Sequence, residues 1–398
     1  MSRLAVAVIL VAALAGAVAA PSATAARGLL KGLYDDTQFL YGNPDRTYPV
    51  VAQLKTDVIR VNLYWGGEFG VANRRPANPT NPNDPAYDWG IYDRAVLYAA
   101  QYKVQVVFSI WGTPGWANRF RGLRYAPTSM ADLQRFAAAA ARRYSGAFVR
   151  VDTLPNPDPA AEPGSTVTQE LTLPRVRYWL AWNEPNNPAF LLPQYRLVRG
   201  KARVASGATY AKICNSIVSG VRSTLLRSTK VACGVTAPSG NNNPKTLRPS
   251  VSPIPFMRAM KAGGARGFDA YAHHPYTKDP RRESPTKMPK SPKTTITLAN
   301  INTLSKELVR LFGNKRLWVT EYGYETLPER RATLRVTPAQ QGRYLTQAFA
   351  IARRHPRIDM FTWFMLRDDR NTTVGWQSGL FTVGGARKPA FSAFLNVP

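Results

Sequence analysis

The sequence is poor in the residues that build metal and redox centres. Its 398 residues include 2 cysteines and 3 histidines, with no HExxH pattern and no zinc-type cysteine spacing, so neither metal nor cofactor is expected. Acidic residues are also scarce, 24 against 53 Lys and Arg, and the net charge of +29 raises nucleic acid, an acidic polymer or an anionic surface as partners. The cations are dispersed and mostly Arg, without zinc-finger spacing, an RNA-binding aromatic signature or a basic helix leading into heptads, so nucleic acid is not expected. An Arg-favouring coding bias combined with solubility explains the charge equally well. Only one long hydrophobic run occurs, Leu4 to Ala20 behind Arg3, followed by Ala23-Thr24-Ala25. It reads as a secretory signal over residues 1–25, leaving an exported chain 26–398, with an uncleaved anchor as the alternative. No other segment has the length and apolarity to cross a bilayer, so the rest is expected to be a secreted, soluble monomer with no further membrane partner. Cys214 falls in a predicted helix and Cys233 in the next predicted strand. An oxidising exterior permits their pairing, and buried free thiols fit the same positions.

What the sequence does have is alternation. Short apolar runs near Leu29 to Tyr34, Val58 to Asn62, Val104 to Ile110, Val176 to Trp182, Lys230 to Thr236, Phe268 to Ala272, Leu317 to Thr320 and Asp359 to Phe364 alternate with helical patterns. The clearest helices are Trp89 to Tyr102, Met130 to Tyr144, Ala208 to Leu226, Leu298 to Phe312 and Pro338 to Arg353. Eight such units predict an α/β chain folded as one (β/α)8 TIM barrel. Two stretches break the repeat. Val151 to Pro174 precedes the fourth strand and belongs at the face away from chemistry, as a Pro-rich loop or small hairpin. Tyr276 to Thr295 follows the sixth strand and should overhang the catalytic face with Lys278, Arg281, Arg282, Lys287, Lys290 and Lys293. A solvated basic loop is the simpler reading, and a subsite for an anionic sugar is the alternative.

Two strand ends carry chemistry. Trp179-Leu180-Ala181-Trp182-Asn183-Glu184-Pro185-Asn186 runs from apolar residues into a carboxylate, and Pro185 stops the ladder. Arg316-Leu317-Trp318-Val319-Thr320-Glu321-Tyr322-Gly323 repeats the pattern. Burying a carboxylate unpaired is costly, so a glutamate at the end of an apolar strand is usually paired or used. Two carboxylates at two strand ends suit acetal cleavage, which needs an acid for the departing oxygen and, for retention, a nucleophile about 5 to 5.5 Å away. Arg60, in the apolar setting Val58-Ile59-Arg60-Val61, is the cation best placed to keep Glu321 ionised.

With Asn183-Glu184-Pro185 and Thr320-Glu321-Tyr322-Gly323 in this order, the chain resembles clan A of the glycoside hydrolases, retaining (β/α)8-barrel enzymes, over nearly all of residues 26–398. The resemblance implies Glu184 as acid/base on strand four and Glu321 as nucleophile on strand seven. It further implies Asn183 as donor to the sugar 2-hydroxyl and Trp363 on strand eight as platform for the reacting sugar, with Phe361-Thr362-Trp363-Phe364 as simple barrel core the alternative. His274 and Tyr276, after strand six, are chosen to touch the nucleophile, with Tyr271 and His273 as rivals by alternation. Trp111, in Trp111-Gly112-Thr113-Pro114-Gly115-Trp116, is a further substrate contact, as are Trp116 and Trp65, although any of these indoles could simply pin a loop. The expected function is a secreted retaining β-glycosidase acting on a neutral β-linked oligosaccharide, polysaccharide or glycoconjugate. A transglycosylase and a non-catalytic carbohydrate-binding barrel are the alternatives.

Overall fold

The computed structural model describes residues 28–158, 160–326, 335–373 and 375–398, and the expected signal at 1–25 lies outside them. The strands are β1 (Leu30–Tyr34), β2 (Val58–Tyr64), β3 (Gln105–Trp111), β4 (Val149–Pro155), β5 (Thr166–Thr172) and β6 (Tyr178–Ala181). They continue with β7 (Tyr195–Val198), β8 (Lys201–Val204), β9 (Lys230–Thr236), β10 (Ala270–His273), β11 (Arg316–Tyr322) and β12 (Ile358–Phe364). Eight of them close in parallel into a barrel, β1-β2-β3-β6-β9-β10-β11-β12, while β4–β5 and β7–β8 are separate two-stranded hairpins. The eightfold alternation of the sequence is therefore the architecture, a (β/α)8 barrel. The fourth barrel strand, β6, is shorter than its apolar run: Val176 and Arg177 precede it, and it ends before Trp182, which sits at φ 72°.

Helices α1 (Pro44–Gln53), α2 (Gly90–Gln101), α3 (Gly115–Asn118), α4 (Met130–Arg143) and α5 (Ser206–Arg222) are followed by α6 (Pro253–Ala262), α7 (Ile301–Phe312), α8 (Pro338–Arg354) and α9 (Pro389–Asn396). Their starts and inner faces follow from sequence. Thr337 and Gln340 form a capping box around Pro338 at the start of α8. α7 buries Ile301, Leu304, Ser305 and Leu308, one stripe at helical spacing.

Strand alternation divides the apolar residues into two layers. Val58, Val107, Leu180, Ala232, Trp318 and Met360, from six different strands, fill the barrel interior. Ile59, Val61, Leu63, Trp179, Val319, Phe361 and Trp363 face outward into the layer shared with the helices. Cys214 of α5 and Cys233 of β9 are joined by a disulfide, their Cα atoms 5.9 Å apart, so the open question of pairing is answered.

The first irregular stretch is the small hairpin, β4 paired antiparallel with β5, which enters β6 from the N-terminal end of the barrel. The β7–β8 hairpin, which follows β6 on the opposite face, was not anticipated. Its signal is a period-two run broken by Arg199-Gly200, both at positive φ.

Candidate active site

The C-terminal ends of the barrel strands deliver the polar groups, and β2 shows how. Its inward positions climb from Val58 through Arg60 and Asn62 to Tyr64, so one face of one strand passes from apolar core to cation to cleft wall. Arg60 is fully buried and its guanidinium organises the floor. Nη1 donates to Glu321 Oε2 at 2.9 Å and to the Thr320 carbonyl at 3.0 Å, Nη2 donates to Asn183 Oδ1 at 2.7 Å, and the plane lies 4.3 Å from the centre of the Tyr34 ring. With its Oδ1 engaged this way, Asn183 presents its amide N–H groups at the cleft wall.

Glu184 and Glu321 each arrive through a backbone irregularity. After β6, Trp182 at φ 72° and Glu184 at φ 36° occupy the left-handed region, disfavoured for side chains of this size and held here by the Glu184 N–H bond to Val235 O at 2.9 Å. In β11, Trp318 faces inward and Val319 outward, and simple alternation would turn Glu321 out as well. A register shift between Val319 and Tyr322 lets Glu321 stay in the cleft while Tyr322 packs behind the wall. A Cβ on the next residue, Gly323, would meet the Phe364 carbonyl at 2.5 Å, so this approach of β11 to β12 requires glycine.

The two carboxylates have different surroundings. One oxygen of each and a ring nitrogen of His274 lie within 4.8 Å of one another. Glu321 accepts from Arg60 and, at Oε1, from the Tyr276 hydroxyl at 3.1 Å. Among the described residues no Arg or Lys pairs with Glu184. Its Oε2 accepts from Asn187 Nδ2 at 3.0 Å, its Oε1 lies 3.0 Å from His274 Nδ1, and burial raises its pKa from 4.5 to about 7. His274 is buried and held neutral, its pKa lowered to about 3 by desolvation. His274 Nε2 lies 3.1 Å from Arg60 Nη1 and from the Thr320 hydroxyl, and its Nδ1 faces Glu184. Three such ligand atoms could in principle hold a metal ion, but Arg60 already occupies Glu321 Oε2 and Glu184 favours its protonated form near neutrality. The arrangement suits an acid beside a carboxylate rather than a divalent cation.

Of the residues singled out in the sequence, Glu184, Glu321, Arg60, Asn183, His274 and Tyr276 converge on one cleft of about 700 Å³, and Trp111 lines its wall. The rivals Tyr271 and His273 point away; His273 is held by Thr236 and the Ile296 carbonyl. Trp65 is completely buried, and Trp116 donates its N–H to the Ala72 carbonyl as a loop pin. Trp363 requires correction. It is fully buried in the outer layer, its N–H bonded to Ser378 O at 2.9 Å, because inward positions of β12 fall on Met360, Thr362 and Phe364. Phe364 and, after it, Trp376 present the aromatic wall instead. Sequence reasoning also missed Asn187, and the Tyr34, Asn62 and Tyr64 cluster around Asp36, although counting by two from Arg60 reaches Asn62 and Tyr64. The basic 276–295 segment contributes Tyr276, Thr277 and Pro280 to the cleft. Its charge is partly answered internally, by Asp279 beside Arg282 and by Glu283 accepting from Thr277 and the Lys290 N–H.

No protein-family model matches the sequence, and no curated protein does. Solved structures do. A family 39 glycoside hydrolase from Bacteroides cellulosilyticus WH2 superposes with TM-score 0.60 at 16% identity over 93% of this chain, which spans 63% of that protein's length. A glucosidase from Croceicoccus marinus gives 0.59 at 14% identity, covering 94% of this chain and 69% of that one. A monomeric beta-xylosidase from Caulobacter crescentus CB15 gives 0.56 at 16%, covering 93% and 69%. At these identities the likeness is one of fold, and the chain is accordingly a (β/α)8 barrel of the form these glycoside hydrolases share.

Proposed function

We propose that this protein is a retaining β-glycosidase in which Glu184 is the acid/base and Glu321 the nucleophile. The observation that carries the reading is the pair of carboxylate oxygens within 4.8 Å, one group with a pKa of about 7 and the other held by Arg60 and Tyr276. That spacing suits direct attack on the sugar, whereas inversion needs about 6.5 to 9.5 Å to admit a water. Glu184 gives its proton to the glycosidic oxygen as that bond to C1 breaks, and a Glu321 oxygen bonds C1 from the opposite face. Glu184, now a carboxylate, then takes a proton from water, whose oxygen displaces Glu321 and restores the original anomer. The neutral His274 faces Glu184 through Nδ1 and adds no charge beside it in either state. The neighbours named as a glucosidase and a beta-xylosidase support a glycosidic substrate. The N–H groups of Asn183 and the faces of Phe364 and Trp376 suit a neutral sugar. Secretion and a monomeric state belong to the same proposal and rest on the N-terminal run and the self-contained barrel.

The test is a panel of β-linked aryl glycosides and glycans with product anomers followed by NMR. The β-anomer should form first. An α-anomer as first product would overturn the mechanism, transfer to a second sugar would make the protein a transglycosylase, and binding without turnover would leave a carbohydrate-binding barrel.

A further inference from the structure

The wall of the cleft on the Glu184 side has a composition unlike the rest of the rim. Residues 187–190, 237–239, Arg248 and Ser250 line it, the loop after β3 adjoins it, and each of the three loops bears a large apolar residue between cations: Arg119-Phe120-Arg121 after β3, Arg196-Leu197-Val198-Arg199 in the β7–β8 hairpin, and Lys245-Thr246-Leu247-Arg248 after β9. Residues 115–128, 186–204 and 237–252 together hold nine Arg and Lys and no Asp or Glu. All nine are exposed, and none has a carboxylate partner among the described residues. The neighbouring 276–295 segment, bridged to the 237–252 loop at Ser239 and Thr295, differs in carrying Asp279 and Glu283.

The loops are tied into one surface. The Leu192 N–H donates to Arg124 O at 2.8 Å, the Tyr195 hydroxyl donates to Ser250 O at 3.3 Å, and the buried Asn186 side chain donates to the carbonyls of Ala237 and Val251. On this surface Phe120 is 85% exposed, Leu197 76% and Leu247 103%. A single exposed leucine means little, but three on adjoining loops, each flanked by cations, form a pattern. Phe120 is also held in place. It and Arg119 both sit at φ 58°, a conformation uncommon for such residues, and its ring rests over Gly115, where a Cβ would meet it at 2.5 Å.

A soluble acidic glycan would engage the cations but has no use for Leu197 and Leu247. A bilayer with anionic headgroups uses both, phosphates taking the Arg and Lys side chains while the apolar tips enter the boundary with the acyl chains. We propose that this wall is a docking face for an anionic phospholipid surface. Among the described residues no helix is long and apolar enough to cross a membrane, so the contact would be peripheral. Docking does not depend on the glycosidase reading. Its corollary, that the leaving group beside Glu184 is presented from the membrane, does.

The experiment is sedimentation of the whole protein with phosphatidylcholine vesicles, with and without about 30% phosphatidylglycerol, alongside retention on polygalacturonate. The wild type should bind anionic vesicles about tenfold or more above neutral ones, and less as salt rises. The triple variant Phe120→Ser/Leu197→Ser/Leu247→Ser should lose about tenfold or more of vesicle affinity while keeping polygalacturonate retention and turnover of soluble aryl glycosides. Reversal of Arg196, Arg199, Lys201 and Arg203 to Glu should weaken both kinds of binding. Equal binding to neutral and anionic vesicles would overturn the proposal, as would undiminished vesicle binding by the triple variant. Retention on polygalacturonate without vesicle binding would also overturn it and assign the wall to an acidic glycan. Absence of aryl glycoside turnover, by contrast, would count against the proposed chemistry and leave the docking result standing.

Discussion

At the scale of the residue, Glu184 makes the sharpest prediction because its environment opposes ionisation. Its folded-state pKa of about 7 lies above the ordinary 4.5, so the folded protein binds the proton more tightly than the unfolded chain does. The associated stability is complete below about pH 4.5 and is lost as pH rises through about 7. Glu184→Gln, which carries no charge to bury, should therefore melt with the wild type at about pH 4 and above it at about pH 8, by up to roughly 3 kcal/mol. A lower melting temperature for the variant at the higher pH would contradict this. In the wild type, kcat/KM should fall on the alkaline side with an apparent pKa near 7, as the acid loses its proton. The correction at strand eight gives a second contrast. Trp363→Ala should cost about 3 to 5 kcal/mol in denaturant titration, because it empties the layer between barrel and helices. Trp376→Ala, at a residue 41% exposed, should leave stability nearly unchanged and raise KM about tenfold.

At the scale of the element, the barrel was legible because a buried parallel strand is an apolar run, and eight such runs occur between amphipathic segments. The chemistry was legible because both glutamates end such runs. What could not be read is phase. Trp363 was placed in the cleft by resemblance, yet the phase of β12 puts Phe364 there, one residue further on. Glu321 reaches the cleft only through the register shift in β11, which no local residue preference announces. The pairing of Cys214 with Cys233 had the same character, since it depends on how α5 docks on β9. Because the two are 19 residues apart, Cys214→Ser/Cys233→Ser should lose about 3 kcal/mol while kcat at moderate temperature is unchanged. Calorimetry beside an activity assay would check this, and a matching loss of kcat would show that the α5–β9 contact also positions the site.

At the scale of the whole molecule, the net charge of +29 could be read from composition but not its layout. The fold gathers three acid-free loops on the Glu184 side, whereas the basic stretch that stood out in the sequence, 276–295, lies next to them and carries its own acids. The same folding brings Arg60, Asn183, His274, Tyr276 and the two glutamates, spread over some 260 residues of chain, within hydrogen-bonding reach of one another. The central claim is that this convergence makes Glu321 a nucleophile. Its most direct test is inactivation by 2-deoxy-2-fluoro β-glycosides, followed by mass mapping of the labelled peptide. The account predicts one sugar bound to the protein, attached at Glu321 and absent from Glu321→Ala; a label on Glu184 would contradict it.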